Sequence, residues 1–126
     1  MTENASEQPD HTPEDPLLVQ AREAFARVDA GALLVDVRSD RGREREGEID
    51  GAVVVDRNRL PELFSDESPL KALRDVEKEQ EIVVLCGSIN GSRPVAEWLT
   101  VNGYDNVSHV DGGFAAYKAE RDGETS

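Results

Sequence analysis

The residues best suited to chemistry lie in one stretch, IVVLCGSINGSRP, at 82–94. Cys86, the single cysteine of the chain, stands where an apolar run gives way to small polar residues. A loop rich in Gly, Ser and Asn that curls into a helix turns successive backbone N–H groups toward one concavity. Such a concavity holds a thiolate, a persulfide or a bound oxyanion. Cys86 is thus the candidate nucleophile, and Gly87, Ser88, Ile89, Asn90, Gly91, Ser92 and Arg93 form the candidate anion cradle and substrate-binding set. A free cysteine is equally at home as a small buried hydrophobe, so the case for chemistry rests on where the fold puts it.

Several other chemistries are excluded by spacing. No lysine follows Gly91, so the loop is not a P-loop, and the dinucleotide fingerprint G-x-G-x-x-G is absent. His11 and His109 lie far apart with no paired ligands, so no metal site and no disulfide are expected. Asp36 and Arg38 end a second apolar run and are supporting candidates, as an ion pair, a loop tether or a substrate contact. Arg57 and Arg59 follow a third run and could face the mouth of the cysteine site, where arginines would attract an anionic substrate; each taken singly reads rather as a solvated loop residue. The run DRGREREGE, 40–48, reads as a solvated helix face with charge pairs. Trp98 and Leu99 are core candidates, and His109 reads as a strand residue.

The elements that must position these groups alternate along the chain. Leu17 to Val28 has apolar residues at helical spacing and is closed by Asp29-Ala30-Gly31. ALLVDV (32–37), GAVVVD (51–56), IVVLC (82–86) and Val107–Val110 have the short continuous pattern of buried strands. Short helical pieces are expected at PELF (61–64) and PLKALRDVEK (69–78), and a helix from Pro94 to Asn102 stopped by Gly103. A last helix is expected from Gly113 to Glu120. Strands each followed by a helical segment predict an α/β fold with a parallel sheet covered on both faces. Ligands of such sheets bind beyond the carboxyl ends of the strands, where Cys86 stands.

At 126 residues the chain is one domain large enough for a real core. Residues 1–15 carry five acids, two prolines and no Lys or Arg, the composition of a disordered tail. The ordered domain is expected over 16–120, with 121–126 frayed. The net charge of −13, from 27 acidic and 14 basic residues, argues against nucleic acid or an anionic membrane as partner. No apolar stretch approaches a membrane span, and the N-terminus lacks the basic and apolar regions of a secretory signal. A cytoplasmic location follows as the expectation.

Four landmarks in order resemble a single rhodanese (thiosulfate sulfurtransferase) domain. LLVDVR (33–38) is similar to the family's Asp-Val-Arg strand end. GEIDGA (47–52) stands where many members have Gly-His-Ile-Pro-Gly-Ala. Cys86 follows its strand, and NGYDNVSHVDGGFAAY (102–117) is close to the family's closing segment. Gly103 comes 17 residues after Cys86 and Gly112-Gly113 come 26 and 27 after it, matching the family spacing without a gap. Within the loop, Ile89 and Gly91 stand where the family often has Gly and Arg, and an arginine appears two places later as Arg93.

The resemblance implies a rhodanese-like fold: a central, mostly parallel sheet of four to five strands with helices on both faces. It implies a sulfurtransferase that moves sulfane sulfur from a small anionic donor such as thiosulfate, through a Cys86 persulfide, to an external thiol or cyanide, with no cofactor. A non-enzymatic sulfur carrier or binding module is the alternative. A cysteine-dependent phosphatase or arsenate reductase on the same fold is a third reading.

Overall fold

The computed structural model describes residues 16–74 and 76–125. The tail expected at 1–15 lies outside the described residues, as does Ser126. The elements run β1 (Leu18–Val19), α1 (Ala21–Asp29), β2 (Leu33–Asp36), α2 (Asp40–Glu46) and β3 (Val53–Val54). A 3-10 turn, Arg57–Arg59, leads into α3 (Leu60–Leu63), followed by α4 (Lys71–Arg74), β4 (Ile82–Leu85), α5 (Ile89–Val101), β5 (Val107–Val110) and α6 (Gly113–Thr125).

The five strands form one sheet in the order β1-β5-β4-β2-β3, and every neighbouring pair is parallel. β4 is central and its four β-branched or leucine side chains are fully buried. Alternate residues serve opposite faces, as the strand period of two requires. Ile82, Val84 and Cys86 join Leu63, Phe64, Leu73, Val95 and Leu99 on the face covered by α3, α4 and α5. Val83 and Leu85 join Ala21, Ala24, Phe114 and Tyr117 under α1 and α6. Each fully buried aliphatic side chain contributes about 1.5–3 kcal/mol, so the two cores fix the plane from which Cys86 emerges.

Three boundaries differ from the sequence reading. Leu18 and Val19, read as the start of a helix, instead pair with His109 and Val110, and the helix begins at Ala21. A two-residue strand is too short to show a period, and its pairing with β5 overrides the local helical spacing. Among the described residues of the piece read as a helix over 69–78, those from Lys71 to Arg74 are helical. At the other end, α6 continues past Glu120 to Thr125, with a Lys118–Asp122 ion pair at 2.9 Å across one helical turn. Residues 121–125, expected to be frayed, are therefore helical.

Candidate active site

Cys86 follows β4 directly, at the carboxyl end of the sheet, and its buried thiol lines a cleft of about 450 Å³. Arg38 and Ser39 after β2, Gly42, Arg45 and Glu46 of α2, Arg57 after β3, and Gly87, Ser88, Asn90 and Gly91 complete the lining. α2 is therefore a wall of the cleft, although its sequence reads as a solvated helix face. Its start is fixed by Ser39, whose hydroxyl accepts from the Gly42 N–H at 3.1 Å.

The loop is shorter than the sequence suggests. Ser88 sits in extended backbone at φ −152° and caps α5 by accepting from the Asn90 N–H at 3.3 Å. Its carbonyl accepts from Gly91 at 3.1 Å and Ser92 at 3.3 Å. The helix thus begins at Ile89, and Pro94 lies inside it rather than at its first position. Proline has no N–H to return to the Asn90 carbonyl, which leaves this first stretch held chiefly by the Ser88 cap. The amides of Asn90, Gly91 and Ser92 are spent within the turn, whereas those of Gly87, Ser88 and Ile89 make no hydrogen bond among the described residues.

Of the residues read as the cradle, Gly87, Ser88, Asn90 and Gly91 line the cleft with Cys86, and Ile89, Ser92 and Arg93 do not. Ser92 turns into the core, where its hydroxyl lies 2.7 Å from His109 Nδ1, both residues buried. Arg93 is half-buried on α5, away from the cleft lining.

Gly91 is critical to the packing. A Cβ built there would lie 2.3 Å from Cys86 Sγ and 2.5 Å from Arg57 Nη1. Only glycine leaves room for both groups. The Arg57 guanidinium donates toward the thiol, with Nη1 3.9 Å from Sγ. Of the two arginines that could face the mouth, the structure brings Arg57 to the cleft, and the preference for a solvated loop residue missed its contact with the thiol.

Asp36 and Arg38 form a buried ion pair, 2.8 Å between Arg38 Nη2 and Asp36 Oδ2. Arg38 also donates its backbone N–H to Asp36 Oδ1 at 3.0 Å and Nη2 to the Gly47 carbonyl at 2.7 Å. Its guanidinium carbon lies 3.9 Å from the centre of the Phe114 ring. Burial alone pushes the Arg38 pKa down, but hydrogen bonds and charge from Asp36, with help from Glu46, hold it above its ordinary value. Asp36 and Arg38 thus brace the β2 end, with Arg38 also forming part of the cleft wall.

The start of α6 closes the loop from behind. Gly112 and Gly113 have φ of +85° and +64°, in the left-handed region that favours glycine. The Phe114 N–H donates to the Cys86 carbonyl at 2.8 Å. A Cβ at Gly113 would meet the Gly87 carbonyl oxygen at 2.5 Å. The paired glycines let the helix terminus press directly on the cysteine loop.

The Rhodanese-like domain family model matches residues 20–120. The chain belongs to the rhodanese-like family. It is 31% identical to thiosulfate sulfurtransferase GlpE of Pseudomonas savastanoi pv. phaseolicola over 107 residues, 85% of this chain and 92% of that protein. Identity to GlpE of Pseudomonas entomophila is 28% over 108 residues, covering 86% and 90% of the two chains. A Rhodopseudomonas palustris protein of unknown function, described as a possible tyrosine phosphatase, superposes with a TM-score of 0.68 at 27% identity, covering 83% of this chain and 80% of that one. The rhodanese-like fold anticipated from the four landmarks is thus the observed one, with five strands. No helix among the described residues is long and apolar enough to cross a membrane.

Proposed function

We propose that the protein is a sulfurtransferase that carries sulfane sulfur as a Cys86 persulfide. The observation that carries this reading is the thiol itself, buried at the strand end, open to a polar cleft and facing the Arg57 guanidinium. The Cys86 thiolate attacks the outer sulfur of thiosulfate and a sulfur–sulfur bond forms to Sγ. The bond to the central sulfur breaks, and its electron pair leaves with sulfite. The terminal sulfur of the persulfide then bears the negative charge. The unengaged amides of Gly87 and Ser88, which line the cleft before α5, are the donors best placed to stabilise it.

An external thiolate or cyanide then attacks that terminal sulfur and restores the Cys86 thiolate. The acceptor comes from outside because the chain holds no second cysteine. The phosphatase reading requires a loop arginine that clasps the oxyanion. Arg93, the arginine that follows the loop, does not line the cleft, which weighs against it.

The test is direct. The purified protein is incubated with thiosulfate and its intact mass is measured, with Cys86→Ser as control. One added sulfur on the wild type alone, sulfite release and thiocyanate on adding cyanide are the expected results. Adduct without turnover would make the protein a carrier. Absence of any adduct, with hydrolysis of aryl phosphates, would overturn the proposal.

A further inference from the structure

We propose that Arg57 selects the sulfur donor: its guanidinium receives the anionic group carried next to the transferred sulfur. The inference rests on the sulfurtransferase reading above and adds a residue from a different part of the chain to it.

Arg57 reaches the thiol across the end of β2. β3, β2 and β4 are successive neighbours in the sheet, so two strand spacings, roughly 9.5 Å, separate the line of β3 from that of Cys86. The pairing is extended past the strands by the Val55 N–H, which donates to the Asp36 carbonyl at 2.9 Å, and by Val37, which donates to Leu85 at 2.8 Å. These bonds align the three strand ends. The turn that bears Arg57 is then fixed by Asp56, whose carboxylate accepts from the Asn58 N–H at 2.9 Å. A long, nearly extended side chain is needed to bridge the gap.

Ion pairing occupies several of the other arginines. Arg27, Arg38, Arg43, Arg59 and Arg121 each have a carboxylate partner. Arg57 has none among the described residues, and its single hydrogen bond there is the one to Cys86 Sγ. Arg38 lines the same cleft but is committed to Asp36 and the Gly47 carbonyl. Arg45 of α2 lines the cleft too and is exposed, as Arg57 is, but only Arg57 has a hydrogen bond to Sγ among the described residues. Arg57 is therefore the cation in contact with the reacting atom that has donors to spare. A guanidinium carries five N–H donors in a planar fork and pairs well with tetrahedral oxyanions.

The reaction gives that position a purpose. When Sγ approaches the outer sulfur of a thiosulfate-type donor, the oxygen-bearing group lies one sulfur–sulfur bond, about 2.05 Å, further along the attack line. A guanidinium beside Sγ can span to those oxygens. As the bond breaks, the electron pair moves onto the departing sulfite, so the interaction strengthens in the transition state. The missing side chain at Gly91 is what lets this cation in. The loop gives up a side chain there, and the β3 side supplies the charge.

The experiment compares two donors on three proteins. Single-turnover sulfur loading on wild type, Arg57→Gln and Arg57→Lys is followed by intact mass. Thiosulfate is the anionic donor, which leaves a persulfide and releases sulfite. Elemental sulfur (S8) is the uncharged donor, whose ring opens on Sγ to a polysulfide adduct with no leaving group. Arg57→Gln is expected to lower the ratio of thiosulfate rate to elemental-sulfur rate by about 100-fold, with Arg57→Lys between the two. Thermal melts check that each variant is folded. Equal slowing with both donors overturns the proposal, because Arg57 then acts on the thiol alone; so does an unchanged ratio. Failure of the wild type to accept sulfur from either donor overturns the sulfurtransferase reading and this inference with it.

Discussion

Gly91→Ala tests the geometry of the thiol most sharply. The new Cβ would lie 2.3 Å from Cys86 Sγ and 3.2 Å from Cys86 Cβ. Non-bonded heavy atoms settle at roughly 3.5–4.0 Å, so about 1.2–1.7 Å of movement is required. The thiol must rotate or the first turn of α5 must swing out, and the 2.5 Å approach to Arg57 Nη1 displaces that group too. A misplacement of this size costs about 100-fold in rate, or ~2.7 kcal/mol in the barrier. Stability responds differently. Alanine is favoured over glycine in a helix by about 1 kcal/mol, while overpacking costs about 1–3 kcal/mol. A net loss of about 0–2 kcal/mol is expected. The assay is the rate of persulfide formation from thiosulfate by intact mass, paired with a urea melt. Wild-type loading by a folded Gly91→Ala protein would refute the placement of Sγ and Arg57 around this glycine.

Three further outcomes follow from the same packing. Gly113→Ala places a side chain at φ +64° and 2.5 Å from the Gly87 carbonyl oxygen; backbone strain and overpacking together cost about 2–5 kcal/mol by urea denaturation, and the loading rate falls with it. Asp36→Ala leaves the Arg38 guanidinium buried without its main partner, with side-chain exposures of 1% and 2% in the intact pair. A loss of about 3–5 kcal/mol is expected, and a loss below about 1 kcal/mol would show the pair to be solvated. Burial raises the phenol pKa of both Tyr104 and Tyr117 above the ordinary 10.0. The unfolded chain therefore loses these protons first as pH rises. Stability is full below about pH 10 and declines above it, and Tyr117→Phe should flatten the alkaline decline in pH-dependent melts.

What the sequence revealed was local. The β4 run and Cys86 are contiguous, so a strand ending in a thiol could be read directly. Gly112-Gly113 was visible as a landmark, but the reason for Gly113 was not, because the atoms it must clear belong to Gly87 and Cys86, far back in the chain. The start of α5 was misplaced because two local signals compete. Pro94 is a strong marker of a first helical turn, yet Ser88 offers a side-chain cap five residues before the loop reading would end. The cap wins, since it satisfies the Asn90 amide and its carbonyl takes two more. β1 escaped notice because two residues have no period and form a strand only through β5.

Arg57 could be read only as one of two arginines able to face the mouth, and the reason is topological. It lies 29 residues before Cys86, and nothing in its own segment distinguishes it from Arg59, which pairs with Glu62 at 2.6 Å. Only the sheet order decides between them. Placing β2 between β3 and β4 aligns the three strand ends, so a side chain leaving the β3 end can cross to the thiol. Gly91 then determines that it does. With 27 acidic residues against 14 basic ones, the overall field repels an anionic donor. A single unneutralised guanidinium beside Sγ gives that donor a local attraction at the one atom where the chemistry requires it, and at about 4 Å it acts well inside the screening length of physiological salt. The fold can thus remain strongly acidic over its surface and still receive an anion at its cysteine.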